Sequence, residues 1–359
     1  MNEVPGPAIE HRDDPVLAAL KSSSGDGSPA ASRNDTRNRL LRNLDFTDLF
    51  ISERGDSFLR GCEDGEGPLV DVPDAVTEDL EALHRQICER GQTQPEFFMD
   101  YDGMRFRVSR IEDVNDVWYT LRRAMWPIPR LGQLGGINNR IIEYLGRLGR
   151  PGGHGLILIA GATSQGKTTT ACSLLQELLL WYGDVAVTLE DPIELPMSGT
   201  YGRFGHCFQI QVQDGDFGNA MKRSMRRSPR YILLGEVRSP TEASEALRAA
   251  INGHIVITTI HAGSCIEAIN AMLKFVAGAE PMDLARTILA DGLIAVVHQH
   301  MIRQRIRGVN RRRLKLECLF PGSDRGIRSL IRNAKTEQLT TAIEMQAKRV
   351  EGGLLPVED

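Results

Sequence analysis

Between Gly155 and Leu180 the sequence commits to one supersecondary unit. An apolar run, Gly155-Leu-Ile-Leu-Ile-Ala160, leads into Gly161-Ala162-Thr163-Ser164-Gln165-Gly166-Lys167-Thr168, and the stretch from Thr169 through Leu180 reads as a helix. The first run is short, continuous and rich in β-branched and apolar residues, as a strand buried on both faces must be. The next eight residues have the G-x-x-x-x-G-K-[ST] spacing of a phosphate-binding loop. Gly161 and Gly166 let the backbone turn so that consecutive N–H groups face phosphate oxygens, and the helix start adds its partial positive charge. In that arrangement Lys167 reaches the β/γ-phosphates of ATP, Thr168 ligates Mg²⁺, and Thr169 completes the cradle. A glycine-rich turn that binds nothing is the plainer alternative, but such a turn has no need of Lys-Thr at the helix start.

The surrounding pattern extends the unit into a layered domain. Val185–Leu189, Tyr231–Leu234 and His254–Thr259 are further apolar runs, each bounded by turn or helix signals, and a helix is expected over about Asn138–Leu148. Strands alternating with helices imply an α/β fold with a parallel sheet. Upstream, Val76, Leu80, Leu83 and Ile87 form a helical stripe, while Met104-Arg105-Phe106-Arg107-Val108 alternates as a half-buried strand does. The chain therefore divides into an arm at 1–36, a small α+β domain at 37–126, a Pro/Gly linker at 127–137, a nucleotide core at 138–264, a mainly helical part at 265–350 and a tail at 351–359. The arm, rich in Ser, Gly, Pro, Asp and Asn, is expected to be disordered.

Composition excludes some classes. A formal charge of −4 over 359 residues gives no overall preference for nucleic acid or membrane, and no apolar run approaches the roughly 18–20 residues of a membrane span. The first 24 residues lack the basic and apolar regions of a signal peptide. None of the six cysteines is in C-x-x-C spacing, which suits a reducing compartment rather than a disulfide or zinc framework.

A phosphate loop alone does not name a reaction. The following strands narrow it: Glu190, Asp191 and Glu194 cluster after Val187-Thr-Leu189, Glu236 and Arg238 follow Tyr231-Ile-Leu-Leu-Gly235, and His254 and His261 bracket the last run. Ligands of open parallel sheets bind beyond the strands' carboxyl ends. In order and spacing these four segments resemble the type II/IV secretion ATPase family, as its P-loop, Asp box, Walker B strand and His box. The similarity runs from about Leu80 to Met345 and includes Arg105-Phe-Arg-Val108, Leu121-Arg122, and Gly326-Ile-Arg-Ser-Leu-Ile-Arg332, which is similar to a segment of retraction-type motors. The absence of a tetracysteine module favours the pilus-retraction-like branch, including Dot/Icm-type secretion and conjugative ATPases. The sequence departs from the family at Ser239, where a carboxylate is usual, and at Ser228 and Arg230, where acids are common.

The resemblance implies a RecA-like P-loop domain, a PAS-like N-terminal domain and a helical C-terminal region. It also implies a cytoplasmic ATPase that forms a homo-hexameric ring at the inner membrane against components of a secretion, conjugation or pilus complex. Glu190 would orient or deprotonate the attacking water, Glu236 would support Mg²⁺ through its water shell, and His261 would sense the γ-phosphate, with His254 and Arg238 in the same catalytic set. Arg107 and Arg122 would supply charge to the γ-phosphate on domain or subunit closure. Plainer readings stand beside these: Glu190 as a solvated acid, the histidines as packing groups, the arginines as solvated charges. The basic run Arg303, Arg305, Arg307, Arg311, Arg312, Arg313, Lys315 reads as a solvated hairpin, and without interleaved aromatics nucleic acid is not favoured. A nucleic-acid translocase or helicase on the same core is the competing function, and a small-molecule kinase is remote.

Overall fold

The computed structural model describes residues 40–62, 67–212, 215–306, 309–322 and 324–357, with only the strand backbone at 303–306 and 309–312. The expected arm lies outside the described residues. Two compact units divide the rest, one ending at Ile128 and also holding Glu194–Pro196, the other taking the remainder from Pro129 onward.

The first unit is an antiparallel sheet of β1 (Asp48–Ser52), β2 (Ser57–Arg60), β3 (Leu69–Asp71), β4 (Glu96–Tyr101), β5 (Met104–Glu112) and β6 (Val117–Ala124), ordered β3-β2-β1-β6-β5-β4, with helix α1 (Thr77–Gly91). The alternation expected at 104–108 is present: Met104, Phe106 and Val108 are buried and pack in one core with Leu80, Leu83 and Ile87 of α1. The intervening arginines therefore lie on the opposite face, as period-two geometry requires.

The second unit is a mixed eight-stranded sheet. Its strands are β7 (Gly155–Ala160), β8 (Asp184–Glu190), β9 (Gly199–Tyr201), β10 (Gly205–Gln211), β11 (Tyr231–Leu234), β12 (Ile255–Ile260), β13 (Leu293–Ile306) and β14 (Val309–Leu319). The order is β14-β13-β7-β12-β11-β8-β10-β9. Strands β13 through β10 in this order pair in parallel, and the edge strands β14 and β9 are antiparallel to their neighbours. Every residue of β7, β11 and β12 is buried, which explains why they read as unbroken apolar runs. The helices are α2 (Asn139–Leu148), α3 (Lys167–Tyr182), α4 (Phe217–Met225), α5 (Pro240–Ile251), α6 (Cys265–Ala277), α7 (Met282–Gly292), α8 (Arg325–Arg332) and α9 (Leu339–Glu351). None of the described helices is long and apolar enough to cross a membrane.

The region after residue 265 is helical over more than half its length but not throughout: α7 passes directly into β13, and β13 and β14 extend the sheet as a long hairpin. Part of the expected linker is held in place. Arg130 Nε donates to Glu177 of α3 at 2.7 Å, Leu131 is fully buried, and Leu314 N of β14 donates to Gly135 O at 3.1 Å. These contacts fix residues 130–135 to the second unit.

Candidate functional site

Four neighbouring strands, β7, β12, β11 and β8, run parallel, so their carboxyl ends share one edge of the sheet. That edge collects the phosphate loop after β7, His261 after β12, Gly235-Glu236 after β11 and Glu190 at the end of β8. Gly166 takes left-handed backbone (φ 79°, ψ 20°) immediately before α3, a conformation glycine adopts without steric cost. Gly161 is required by close approach, since a Cβ there would lie 2.5 Å from the Gln299 carbonyl oxygen. Its N–H donates to Ile260 O on the other side. Ala162, Thr163, Ser164 and Gln165 span the gap between these glycines, with Ser164 also at positive φ (61°). The helix begins at Lys167, so Thr168 and Thr169 belong to its first turn.

The Lys167 side chain is buried, and its Nζ donates to Ala162 O at 2.9 Å while standing 3.5 Å from His261 Nδ1. His261 Nε2 lies 2.7 Å from Glu236 Oε1, and Arg238 binds the other oxygen of Glu236 at 2.7 Å. With an ammonium facing Nδ1 and a carboxylate facing Nε2, the network assigns a neutral His261 ring its proton on Nε2. Glu236 in turn holds the Arg238 guanidinium firmly protonated, raising its pKa through their hydrogen bond. A continuous line thus runs from Lys167 through His261 and Glu236 to Arg238. Beside it lies a cavity of about 400 Å³ bordered by Glu236, Val237, Arg238, Ile260, His261 and Phe275.

Glu190 is 2% exposed, which removes the reading of a solvated loop acid. Gln209 of β10 orients it, donating Nε2–H to Glu190 Oε1 at 2.9 Å while its own carbonyl oxygen accepts from Met197 N at 2.9 Å. Nearby Cys207 is pushed up to about 12 by burial, with the Glu190 charge adding to the effect, so it stays a thiol at neutral pH and is no nucleophile. Glutamine has no motif of its own, and neither Gln209 nor Gln299 was foreseeable except from knowing which strands neighbour β8 and β7.

His254 is not brought to this edge. It precedes β12, at the opposite end of the strand from His261, and its Nδ1–H donates to Pro229 O at 2.6 Å. Its assignment to the catalytic set is therefore corrected to a structural contact, because it lies at the end of β12 opposite the phosphate loop. Arg107 and Arg122 are directly opposite each other on β5 and β6 in the first unit. Arg107 pairs with Glu96 at 3.6 Å, and Arg122 donates from Nε to Asp48 at 2.8 Å with its side chain 62% exposed.

Two of the departures from the family pattern, Ser239 and Arg230, have local explanations. Ser239 caps α5, accepting from Glu242 N at 3.3 Å while Glu242 accepts from Ser239 N at 3.0 Å. Arg230 donates to Gly149 O at 2.9 Å and to Tyr231 Oη at 3.0 Å, joining the start of β11 to the end of α2. Within the segment similar to retraction motors, Arg328 donates to Ala290 O and Asp291 O, and Arg332 pairs with Asp291 at 2.6 Å, so both arginines fasten α8 to the end of α7.

Comparison with known proteins finds relatives in sequence and in fold. HxcR, a type II secretion system protein of Pseudomonas aeruginosa, is 31% identical over 154 residues, 42% of this chain and 30% of that protein. The competence protein ComGA of Halalkalibacterium halodurans is 34% identical over 152 residues, 42% of this chain and 40% of its own length. The chain thus spans well under half the length of these relatives. The solved pilus retraction motor PilT with bound ADP superimposes with a TM-score of 0.68 at 25% identity, over 85% of this chain and 87% of that one. The ATPase DotB of Legionella pneumophila shares the fold, with a TM-score of 0.65 at 20% identity, over 97% of this chain and 95% of that one. Residues 101–345 match the family described as type II/IV secretion system protein, and the chain belongs to that family.

Proposed function

We propose that this protein is an ATP-hydrolysing motor of a secretion, conjugation or type IV pilus-like system, working as an oligomeric ring on the cytoplasmic side of the inner membrane. The observation that carries the proposal is the convergence of Lys167, His261, Glu236 and the buried Glu190 on the edge that holds the phosphate loop. The PilT structure of similar fold binds ADP, which supports a nucleotide at this loop. The phosphate loop at the carboxyl edge of a parallel sheet supports reading the second unit as RecA-like, and the antiparallel sheet with its helix supports reading the first as PAS-like.

The loop amides and Lys167 would hold the β- and γ-phosphates, where fixed donors stabilise the charge that develops in transfer. The oxygen donors at the site, the Thr168 hydroxyl and the Glu236 carboxylate, are of the hard type that Mg²⁺ takes, and the ion would neutralise phosphate charge there. Glu190, held by Gln209, is the base that would orient the attacking water. His261 links Lys167 to Glu236, so a change at the phosphates would be felt along that line as a sensor requires. Arg107 and Arg122 would add charge on closure, and Arg238 would balance Glu236.

Phosphate release and fluorescent-nucleotide binding test the proposal. Lys167→Ala should abolish both. Glu190→Gln should keep ATP affinity within about twofold and lower turnover by about 10²-fold or more, the range of a lost general base. Normal hydrolysis by either variant would refute the assignment.

A further inference from the structure

Strand β13 follows the central motif by well over a hundred residues, yet it grips the phosphate loop at three points. The Gln299 side chain, fully buried, donates from Nε2 to the Gln165 carbonyl at 2.7 Å. Met301 N donates to the Gln165 side-chain Oε1 at 2.6 Å. The Gln299 carbonyl oxygen lies where a side chain on Gly161 would be. Each glutamine therefore meets the other segment, and together they span the loop from its first glycine to the residue before its second.

The register explains how β13 arrives there. It pairs in parallel with β7 from Leu293 opposite Leu156 to His298 opposite Ala160, with a register shift between Leu293 and Ala295. A one-residue slip turns every later side chain to the other face. The shift therefore determines that Gln299 and Met301, rather than His298 and His300, meet the loop.

The Gln299 amide is also an odd choice for a structural site. Its Oε1 is buried and has no hydrogen-bond partner among the described residues, while its Nε2 side is used. Leaving a buried acceptor unpaired costs stability, whereas an apolar side chain of similar size carries no such penalty. Packing alone would be served as well by leucine or methionine. What those side chains lack is the N–H that holds the Gln165 carbonyl.

We propose that Gln299 is a positioning residue for the phosphate loop, holding residues 161–166 in a nucleotide-ready shape from β13, so that the loop is preorganised before phosphate arrives. This rests on the nucleotide reading of the loop. Preorganisation lowers the ordering cost of binding, so its loss weakens ADP and ATP alike and appears in the dissociation constant before it appears in turnover at saturating ATP.

The test is Gln299→Leu in the full chain, with three readouts. The melting temperature should stay level or rise slightly, because an unpaired buried acceptor has gone. Hydrogen exchange of the nucleotide-free protein should accelerate about tenfold in the peptide carrying residues 161–166 and stay unchanged in β11 and β12. The dissociation constants for fluorescent ADP and ATP should rise about tenfold. Loop exchange that matches the wild type would overturn the proposal, as would a fall in melting temperature that accounts for the whole loss of affinity. Because loop exchange is measured without nucleotide, wild-type protein that binds neither ADP nor ATP would refute the nucleotide reading separately, leaving the exchange result to decide the role of Gln299.

Discussion

The two histidines that bracket β12 are alike in sequence and opposite in use. His261 leaves the carboxyl end of the strand and lies between Lys167 and Glu236. His254 precedes the amino end, roughly 20 Å away at about 3.3 Å per strand residue, and holds the carbonyl of Pro229. Residue type and flanking strand are shared, so what separates them is the edge of the sheet. In a parallel sheet the loops beyond the carboxyl ends approach one another as a group, and the other edge is left to structural joints. Arg230, bound to the carbonyls of Gly149 and Arg150, is one of these.

This contrast can be broken by mutation. The largest effect is expected from the histidine pair: His261→Ala should reduce turnover by about tenfold or more, while His254→Ala should leave turnover within about twofold. A phosphate-release assay on both decides it, and equal losses would show that the edge does not matter. Arg230→Ala should next cost about 1–3 kcal/mol of stability through backbone acceptors left unmatched, with nucleotide affinity unchanged; thermal unfolding and equilibrium binding measure the two.

The smallest effect gives a baseline for a charge outside the nucleotide unit, and it carries a pH signature. Burial alone would push the Asp48 carboxyl up, but hydrogen bonds from Arg122, Thr47 and Arg60 outweigh it and hold the group below its ordinary 3.8. A depressed carboxylate contributes stability that is full above its unfolded value and is lost as pH falls through the folded one. Asp48→Asn should therefore lower the melting temperature at pH 7, and the gap from the wild type should narrow as pH falls from about 4 through the depressed folded value, below which both side chains are uncharged. A gap that stays constant across that range would show that packing, not charge, is lost.

The parts legible in the sequence share a physical cause. β7, β11 and β12 are buried on both faces, so they must be continuous apolar runs, and the phosphate loop has a spacing imposed by backbone geometry. The basic run 303–315 reads as a hairpin, but the full length of β13 and β14 was hidden because α7 gives way to Leu293 with Gly292 as the sole interruption, and β14 mixes Arg and Lys with Leu314 and Leu316. Gln209 and Gln299 were hidden for a different reason. Each acts on a partner brought alongside only by strand order, which local periodicity does not encode. His254 misled because a strand end looks the same from either side until the sheet gives it a direction.

The fastening of Arg130 to Glu177 has a mechanical consequence. Glu177 belongs to the helix that starts with Lys167, about 15 Å further along at 1.5 Å per residue. A pull transmitted through the covalent chain at Ile128 meets that guanidinium–carboxylate grip first, and arrives on the flank of a stiff rod. The rod's far tip is the lysine that would touch phosphate, so tension in the connecting segment and occupancy of the nucleotide are borne by the same helix, as load and fulcrum on one beam.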